Sequence, residues 1–324
     1  MGGHGGDEAG QRAILEDQGI VDLAPMDTSL ETTLLGTTPE GVEVHWSRAA
    51  LECDLTILFN RVAPHPNLSS RLQSGFTKMS VIGFGKPRGA TTMHRAGVSE
   101  HLEAAGAVVR QHSNLVGGIA MLCDGEGQPS ELVGLTVDEL PEKELAVLER
   151  ARAARFTLPF ESIDVLVLDW FGKDISPTGI DRVLLGRRPT GADPVRIGAI
   201  LALGLSPKSR GNMLGVGFAD AVTARVLAAM DADQMAANLA SSGDVEACTI
   251  PRVFENDRQA LDWAVTSFGP RIARIESTAH LGQFLVSDGI ILPGLTRGDV
   301  SPWSFDDAGS LDLREPWMSR RENA

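Results

Sequence analysis

The side chains best suited to chemistry lie close together in one glycine-rich segment, HPNLSSRLQSGFTKMSVIGFGKPRGATTMHRAG, which spans residues 65–97. The segment follows a short apolar run and contains His65, Lys78 and His94 together with five glycines. A histidine can act as a general acid or base or bind a metal, and a lysine becomes a nucleophile once its amine is neutral. We therefore take this segment as the first candidate for a functional site.

His65 stands between Pro64 and Pro66, and the two prolines favour extended backbone at this position. It follows a run, residues 55–59, that we interpret as a buried strand. The ordinary pKa of a histidine lies near operating pH, so this residue suits general acid–base catalysis. A histidine on an ordinary surface loop would give the same pattern, and both interpretations stay open at this stage.

Lys78 has apolar residues on both sides in GFTKMSVIGFG. Burial there would lower its pKa and make the amine nucleophilic, whereas the alternative places its alkyl chain over apolar surface with the charge in water. Lys86 competes for the same role, although GKPRG is typical of an exposed turn. His94 could bind a metal ion through one ring nitrogen, and a structural histidine is the alternative.

Composition excludes several classes of protein. The 324 residues carry a formal net charge of −14 and a sequence pI near 4.9, which argues against a nucleic-acid or anionic-membrane surface. Cys53, Cys123 and Cys248 have no CxxC spacing, which argues against a zinc ribbon or a disulfide framework and fits a reducing cytoplasm. The sequence has neither a signal-peptide pattern nor an apolar run of about 18 residues, the length of a membrane span. We expect a soluble cytoplasmic protein.

The first part of the chain mixes short strands with helices. TPEGVEVHW predicts a β-hairpin that turns at Gly41, and VSEHLEAAGAVVRQH predicts a helix capped by Ser99. A second hairpin is predicted in LVGGIAMLCDGEGQPSELVGLTV, and PEKELAVLERARAARF predicts a linking helix. These elements give an N-terminal domain of residues 1–140 and a linking helix of residues 141–156.

The remaining residues, 157–324, predict a C-terminal α/β domain. Apolar strands in FESIDVLVLDWFG and RIGAILALGLS are each followed by a loop rich in Gly, Ser and Pro. Helices are predicted in FADAVTARVLAAM, NDRQALDWAVTSFG and HLGQFLVSDG, with a strand in RIARIEST. This alternation predicts a two-domain, Rossmann-like α/β fold with mostly parallel sheets, helices on both faces, and a β-hairpin in the N-terminal part.

Ligands of open α/β sheets bind at the carboxyl ends of strands, where three loops of this chain are predicted to lie: NRVAPHPNLSS, GKDISPTGID and SPKSRGNMLGVG. The third has glycines before a predicted helix, which would suit a phosphate or carboxylate, and Lys208, Arg210 and Asn212 could hold such a group. The alternative is that these glycines only allow a tight turn between strand and helix.

Three stretches resemble the family of nickel-dependent lactate racemase and its homologues: GGHGGDEAGQRAILEDQGI, the NRVAPHPNLSSRLQSGFTKMSVIGFGKPRGATTMHRAG segment, and GKDISPTGID. The resemblance runs over most of the chain. It is closest to a branch of the family that carries an NRV-x-PH…SG-x-x-KM…GxGK-x-x-GA…HRAG pattern. Family members have a further N-terminal stretch before the GxHxG motif, so the N-terminal domain is expected to lack the family's first strands.

The resemblance implies a nickel-pincer nucleotide cofactor, the nickel complex of a pyridinium dithiocarboxylic acid mononucleotide. By position, Lys78 matches the lysine that joins the cofactor through a thioamide, and His94 matches the histidine that binds nickel. His4, in the GxHxG motif, and His65, in the PH motif, match the pair of residues that exchange the substrate's hydroxyl proton. One segment would then supply the tether, the metal ligand and a base.

The activity implied by this resemblance is that of an isomerase, a racemase or epimerase of a small-molecule 2-hydroxy acid that works by transient hydride transfer. Two alternatives stay open. One is a non-catalytic relative that binds a ligand or cofactor on the same fold, and the other is an enzyme that uses Lys78 as an amine nucleophile without nickel. We expect neither a nucleic-acid nor a membrane partner.

Overall fold

The computed structural model describes residues 7–17, 19–20, 23–65, 68, 70–124, 127–154, 157–186, 195–288, 290 and 303–313. The chain divides into two compact units. The N-terminal unit comprises residues 1–124 and 128–155, and the C-terminal unit comprises residues 125–127 and 156–324. Each unit is described here by itself.

The N-terminal unit contains two β-sheets and several helices. Its described elements are α1 (Glu8–Asp17), β1 (Thr32–Thr37), β2 (Glu43–Ser47), α2 (Arg48–Leu51), β3 (Thr56–Arg61), α3 (Phe76–Lys78), α4 (Lys86–Ala96), α5 (Val98–His112), β4 (Leu115–Cys123), β5 (Pro129–Thr136) and α6 (Glu142–Ala153). Strands β1 and β2 form the predicted antiparallel hairpin, and Gly41 between them has a φ of 84°. In the second sheet, β4 pairs in parallel with β3 and antiparallel with β5.

Strand β3 is buried on one face only. Leu58 is 1% exposed, whereas Ile57 and Phe59 are 58% and 62% exposed. Leu55 is also 52% exposed, so the prediction of a buried strand at residues 55–59 is wrong for three of its five side chains. The physical reason is that successive side chains of a strand point to opposite faces of the sheet, and only one face of β3 is covered.

Helices pack on the inner face of this sheet. Phe76 of α3 lies against Gly118 of β4, where an added Cβ would come within 2.5 Å of the Phe76 ring. The core also includes Leu102 of α5 and Leu148 of α6, so the segment predicted as a linking helix packs within this unit. Helix α5 begins at Val98 after Gly97, which places Ser99 inside the helix, and the predicted Ser99 cap is wrong.

The C-terminal unit contains one larger sheet. Its described elements are β6 (Ser162–Leu168), β7 (Arg196–Ala202), β8 (Ala221–Thr223), α7 (Ala224–Ala228), α8 (Ala232–Ser242), α9 (Val245–Cys248), β9 (Arg252–Phe254), α10 (Asp257–Phe268), β10 (Ile272–Ser277) and β11 (His280–Val286). The strand order is β11-β10-β6-β7-β8-β9, and every pair is parallel except β10 with β11.

Both faces of this sheet are covered. Along β6, Leu166 and Leu168 join one buried apolar cluster, and Val165 and Val167 join another. Helix α10 packs on the second face, and α7 contributes to the cluster on the first. Buried side chains on both faces explain the continuous apolar runs of these strands, and the predicted α/β class is confirmed.

Two predicted helices of the C-terminal unit are wrong. HLGQFLVSDG forms β11, because its backbone completes hydrogen bonds along the open edge of β10. FADAVTARVLAAM divides into β8 and the short α7, since β8 fills a position between β7 and β9. In both cases tertiary pairing overrides local helix propensity. No helix among the described residues is long and apolar enough to cross a bilayer.

Candidate functional site

Lys78 and His94 lie at the ends of two successive helices, and the charge of Lys78 acts on the His94 ring. Lys78 is the last residue of α3, and His94 lies in the last turn of α4. The pKa of His94 is lowered, first because surrounding protein displaces water from a ring that is partly exposed, and second because of the positive charge of Lys78. The two side chains therefore lie within electrostatic range, and the neutral imidazole is the form that binds a metal.

A buried carboxylate fixes the turn that carries Lys78. Glu144 of α6 is 1% exposed and accepts hydrogen bonds from the Thr77 backbone N–H, at 2.9 Å, and from Thr77 Oγ1, at 2.5 Å. Gly75 makes room for it, because an added Cβ would lie 2.4 Å from Glu144 Oε1 and the φ of 107° favours glycine. Burial raises the pKa of Glu144, and the bonds from Thr77 oppose that rise. Glu144 thus caps the helix that ends at Lys78.

Glu144 was not among the predicted site residues, although the sequence carries a signal for it. Glu144 shares a helix face with Val147, Leu148 and Ala151, all of which are buried. A carboxylate on the apolar face of a helix requires hydrogen-bond donors from elsewhere in the fold. That pattern would have marked the residue as one that holds another element in place.

A π-helix, Met79–Gly83, joins α3 to α4. The Phe84 N–H donates to Met79 O at 2.9 Å, a bond across five residues, and π-helical turns are frequent at functional sites. Gly85, which follows, leaves no room for a side chain, because an added Cβ would lie 2.3 Å from Val81 O. At Gly89 an added Cβ would lie 3.4 Å from His45 O, an ordinary van der Waals contact, so space does not require this glycine. Gly85 therefore allows the close approach of the start of α4 to the π-helix.

His65 lies on the loop after β3 and is half-buried. Its backbone N–H donates to Gln73 Oε1 at 3.3 Å, and Ala63 N–H donates to Ser74 Oγ at 3.2 Å, so the loop is tied to the residues that precede α3. His4 lies outside the described residues. The acid–base roles of both histidines stay predictions.

Among the described residues, no group of three or more His, Cys, Asp and Glu side chains is arranged to hold a metal ion. The predicted nickel site differs from such a cluster, because the protein would contribute one histidine and the cofactor the other ligands. The roles of Lys78 as tether and His94 as ligand stay predictions.

Lys86 is buried, and the prediction of an exposed turn at GKPRG is wrong. The residue is 8% exposed and begins α4 with a φ of 54°. Pro87 accounts for part of this conformation, since a proline disfavours right-handed helical backbone at the preceding residue. Lys86 also lines a cavity of about 310 Å³. The polar side chains in the cavity wall are Gln11, Asp27, Thr28, Ser47, Cys53 and Lys86.

In the C-terminal unit, the loops after β6 and β7 meet at the carboxyl edge of the sheet. Asp174 accepts hydrogen bonds from Ser206 Oγ at 2.7 Å and from Ser209 Oγ at 3.1 Å, and the Lys173 backbone N–H donates to Ser209 Oγ at 2.6 Å. Lys173 Nζ donates to Pro177 O at 2.6 Å. Burial lowers the pKa of Lys173 to about 8. Sequence analysis named both loops but neither Lys173 nor Asp174.

The predicted anion site in SPKSRGNMLGVG is wrong in one respect. The loop leads into a short 3₁₀ helix, Val216–Phe218, and then into β8, so no α-helix N-terminus follows it. An added Cβ on Gly215 would lie 2.0 Å from Thr178 O, which shows that this glycine allows two loops to approach closely. The Asn212 side chain accepts a hydrogen bond from the Leu214 N–H, and Lys208 and Arg210 are exposed.

The comparison with solved structures gives a distant similarity. No protein-family model matches the chain, and no curated protein matches it. Among solved structures, the lactate racemase apoprotein from Thermoanaerobacterium thermosaccharolyticum is similar, with a TM-score of 0.35 and 15% sequence identity. The match covers 53% of this chain and 42% of that chain. It is at most a distant relationship of fold.

Proposed function

We propose that the N-terminal unit carries a nickel-pincer nucleotide on Lys78 and acts as a racemase or epimerase of a 2-hydroxy acid. The observation that supports this proposal is the electrostatic effect of Lys78 on His94, two residues whose positions in the motif match the tether and the nickel ligand. Their helices are consecutive and joined by a π-helix, so one short segment positions both groups.

The side chains present fit the cofactor chemically. Lys78 is a primary amine, which a thioamide requires, and its helix is fixed by Glu144 through Thr77. His94 is partly exposed, and its lowered pKa favours the neutral ring that can donate a nitrogen lone pair. Lys78 would hold the nucleotide, and His94 would complete the coordination of nickel.

When bound, the cofactor would supply an acceptor for the hydride at C2 of the substrate. The protein would then move the hydroxyl proton. His65 would accept that proton at a ring nitrogen and return it, which requires a pKa near neutral. The resemblance assigns the corresponding role on the other face of the carbon to His4.

The proposal is tested by intact mass and metal analysis of the full chain purified from its native host. We expect stoichiometric nickel and a covalent nucleotide on Lys78, together with racemisation of at least one acid in a panel of chiral 2-hydroxy acids. Lys78→Arg keeps the positive charge but should lose the adduct. Lys143→Arg, at an exposed lysine of the same unit, is the matched control and should keep it.

Two histidine variants separate the assigned roles. His65→Ala should retain nickel and lose racemisation, whereas His94→Ala should lose nickel. An unmodified, nickel-free chain from a host that makes the cofactor would overturn the proposal in favour of a non-catalytic relative. Full racemisation by both variants would overturn the residue assignments.

A further inference from the structure

The cavity beside Lys86 has the features of a binding site for a small molecule. Its volume of about 310 Å³ is at the lower end of the range that is typical of ligand pockets, roughly 300–1,000 Å³. Phe84 and Leu15 give part of the wall an apolar surface, and Phe84 is fixed by stacking on the buried ring of Trp46, with centroids 5.0 Å apart. A largely apolar wall with a few polar groups, one of them a lysine, is the usual composition of such a site.

The backbone at Lys86 is strained. A φ of 54° is unfavourable in a residue other than glycine, and such residues cluster at ligand-binding and active sites. Glycine would adopt the same conformation without strain, and glycines already occupy positions 83, 85 and 89 of this segment. Lys86 therefore occupies a position where the backbone conformation would favour glycine.

The charges around the cavity determine whether a charged or an uncharged ligand can bind there. Burial lowers the pKa of Lys86, while the carboxylates of Asp27 and Glu8 raise it. Asp27 lines the cavity itself, and its carboxylate would repel a bound anion. A positive charge formed on the Lys86 nitrogen after an uncharged molecule has bound would instead be stabilised by both carboxylates.

We propose that this cavity binds a small uncharged aldehyde or ketone and that the Lys86 amine forms an imine with it. The nitrogen lone pair attacks the carbonyl carbon, and the electrons of the C–O π bond move to the oxygen, which takes up a proton. Loss of the second N–H proton and of the hydroxyl group as water leaves a carbon–nitrogen double bond. Protonation of that imine gives the cation that Asp27 and Glu8 would stabilise. No oxidant or reductant is required, and the site does not depend on nickel or on Lys78.

Reductive trapping tests the proposal. The full chain is incubated at neutral pH with butanal and cyanoborohydride, which converts an imine into a stable butyl amine, and the modified lysines are identified by peptide mapping. We expect Lys86 to be modified at least severalfold faster than the exposed Lys143 and Lys208. The rate at Lys86 should saturate as the butanal concentration rises, because binding in the cavity precedes the reaction. A rate at Lys86 no higher than that at Lys143 would overturn the proposal.

Lys173 is the internal control for a lowered pKa outside the cavity that Lys86 lines. Its pKa is also lowered by burial, but its ammonium donates to the Pro177 carbonyl. We expect its modification to rise linearly with butanal, whereas modification of Lys86 should saturate and be inhibited by the unreactive butan-2-ol. Linear kinetics at both lysines would mean that only the lowered pKa matters, and stronger inhibition by butyrate than by butan-2-ol would mean an anion site. Either result would overturn the proposal.

Variants at Lys86 separate loss of the amine from loss of the fold. Lys86→Gly removes the amine and the backbone strain, so it should unfold at the same or a higher denaturant concentration than the wild type and lose the fast modification. Lys86→Gln keeps most of the length and the polarity of the side chain and should lose the fast modification equally. Lys78→Arg should retain the fast modification at Lys86, so failure of the proposed racemase function would leave this result unchanged.

Cys53 gives a second readout inside the same cavity. It is an exposed thiol that lines the cavity wall. Once Lys86 carries a butyl group, reaction of Cys53 with a maleimide should slow, whereas reaction of Cys123 should not. An unchanged rate at Cys53 would mean that the modified amine lies outside the cavity and would overturn the assignment.

Discussion

In the C-terminal unit the buried charges of Asp169 and Arg274 face each other, whereas in the N-terminal unit the buried amine of Lys86 faces a cavity. Arg274 Nε donates to Asp169 Oδ1 at 2.6 Å, and the two side chains are 4% and 0% exposed. Arg274 also donates to Asp312 O at 2.6 Å, which ties a late segment of the chain to β10. This pair is an internal connection between β6, β10 and that segment.

Among the described residues of the N-terminal unit, some buried polar atoms close to the candidate site have no hydrogen-bond partner. Within the part of the chain that the structure describes, His45 Nδ1 and Arg110 Nη1 are buried without a hydrogen-bond partner. His45 lies on β2 against α4, the helix that Lys86 begins, and Arg110 lies within the electrostatic range of Glu144. The described part of the C-terminal unit also has buried polar atoms without a hydrogen-bond partner, Arg182 Nε and Thr223 Oγ1 among them, so such atoms do not by themselves distinguish the two units.

Lys86 and Lys173 show the difference between an amine beside a cavity and an amine that donates a hydrogen bond. Burial lowers the pKa of both amines. Lys173 donates to a backbone carbonyl, and its loop is held by Ser209 and Asp174, whereas Lys86 adopts strained backbone beside open volume. A lowered pKa alone therefore does not mark a site, since a ligand also needs space next to the amine.

The largest expected effect comes from breaking the buried ion pair of Asp169 and Arg274 in the C-terminal unit. Arg274→Met should lower the free energy of unfolding by about 3–5 kcal/mol, because it leaves the Asp169 carboxylate buried without its partner. The measurement is urea denaturation with hydrogen exchange to locate the loss on β6 and β10.

Arg271→Met is the matched control on the same pair of elements. Arg271 pairs with Asp164 at 2.8 Å, but its side chain is 44% exposed, so we expect a loss of about 0–1 kcal/mol. Equal losses in the two variants would mean that the buried pair is no more than a surface contact in its effect.

The next largest effect concerns Glu144 of the N-terminal unit, a buried carboxylate that accepts hydrogen bonds from the Thr77 N–H and hydroxyl. Glu144→Ala should lower the free energy of unfolding by about 2–4 kcal/mol, because the Thr77 N–H and hydroxyl would be left buried and unpaired. Hydrogen exchange at the Thr77 amide should accelerate. Glu142→Ala, at an exposed residue of the same helix, should leave that amide unchanged. Unchanged exchange in Glu144→Ala would contradict the capping role.

The smallest effect depends on pH and tests whether burial lowers the pKa of Lys173, as the comparison with Lys86 requires. Lys173 has a folded pKa of about 8 against an ordinary 10.5, so between these values the unfolded chain binds more protons than the folded chain. Stability contributed by this group therefore rises with pH across that window and is constant below it. Replacing Lys173 by Met should remove this rise, a difference of about 1–2 kcal/mol that is reduced by the partial exposure of the amine.

The check is urea denaturation of Lys173→Met and wild type at both ends of the window. Lys208→Met controls for loss of a positive charge at an exposed position of the same unit. A pH profile identical to that of the wild type would show that Lys173 is not desolvated in the folded chain.

The strands of the C-terminal sheet could be predicted because burial on both faces leaves a continuous apolar run. Ser162–Leu168 and Arg196–Ala202 are such runs, and both predicted strands are confirmed. His280–Val286 could not be assigned in this way, since its identity as a strand depends on the free edge of β10, which lies in another part of the chain. The exposed face of β3 escaped prediction for a related reason, because an apolar run does not tell which of its faces is covered.

The candidate site was predictable in part. The spacing of Lys78 and His94 directed attention to a segment in which the charge of Lys78 acts on His94, and the roles of both residues stay predictions. The burial of Lys86 was not predictable, since GKPRG resembles a turn, and burial depends on Gln11 and Asp27 from distant segments that complete the cavity. Glu144 could have been suspected from its place on an apolar helix face, but its partner Thr77 lies 67 residues away in the chain.

The sequence by itself determined the α/β class, the N-terminal hairpin, and the segment in which the chemically competent side chains are concentrated. Periodicity and glycine placement are local properties, and they follow directly from side-chain and backbone chemistry. The tertiary structure alone decided which lysine faces a cavity, which faces a carbonyl, and which carboxylate holds the helix of Lys78. Those outcomes depend on desolvation and hydrogen bonding between segments far apart in the chain, and local sequence does not encode such distances.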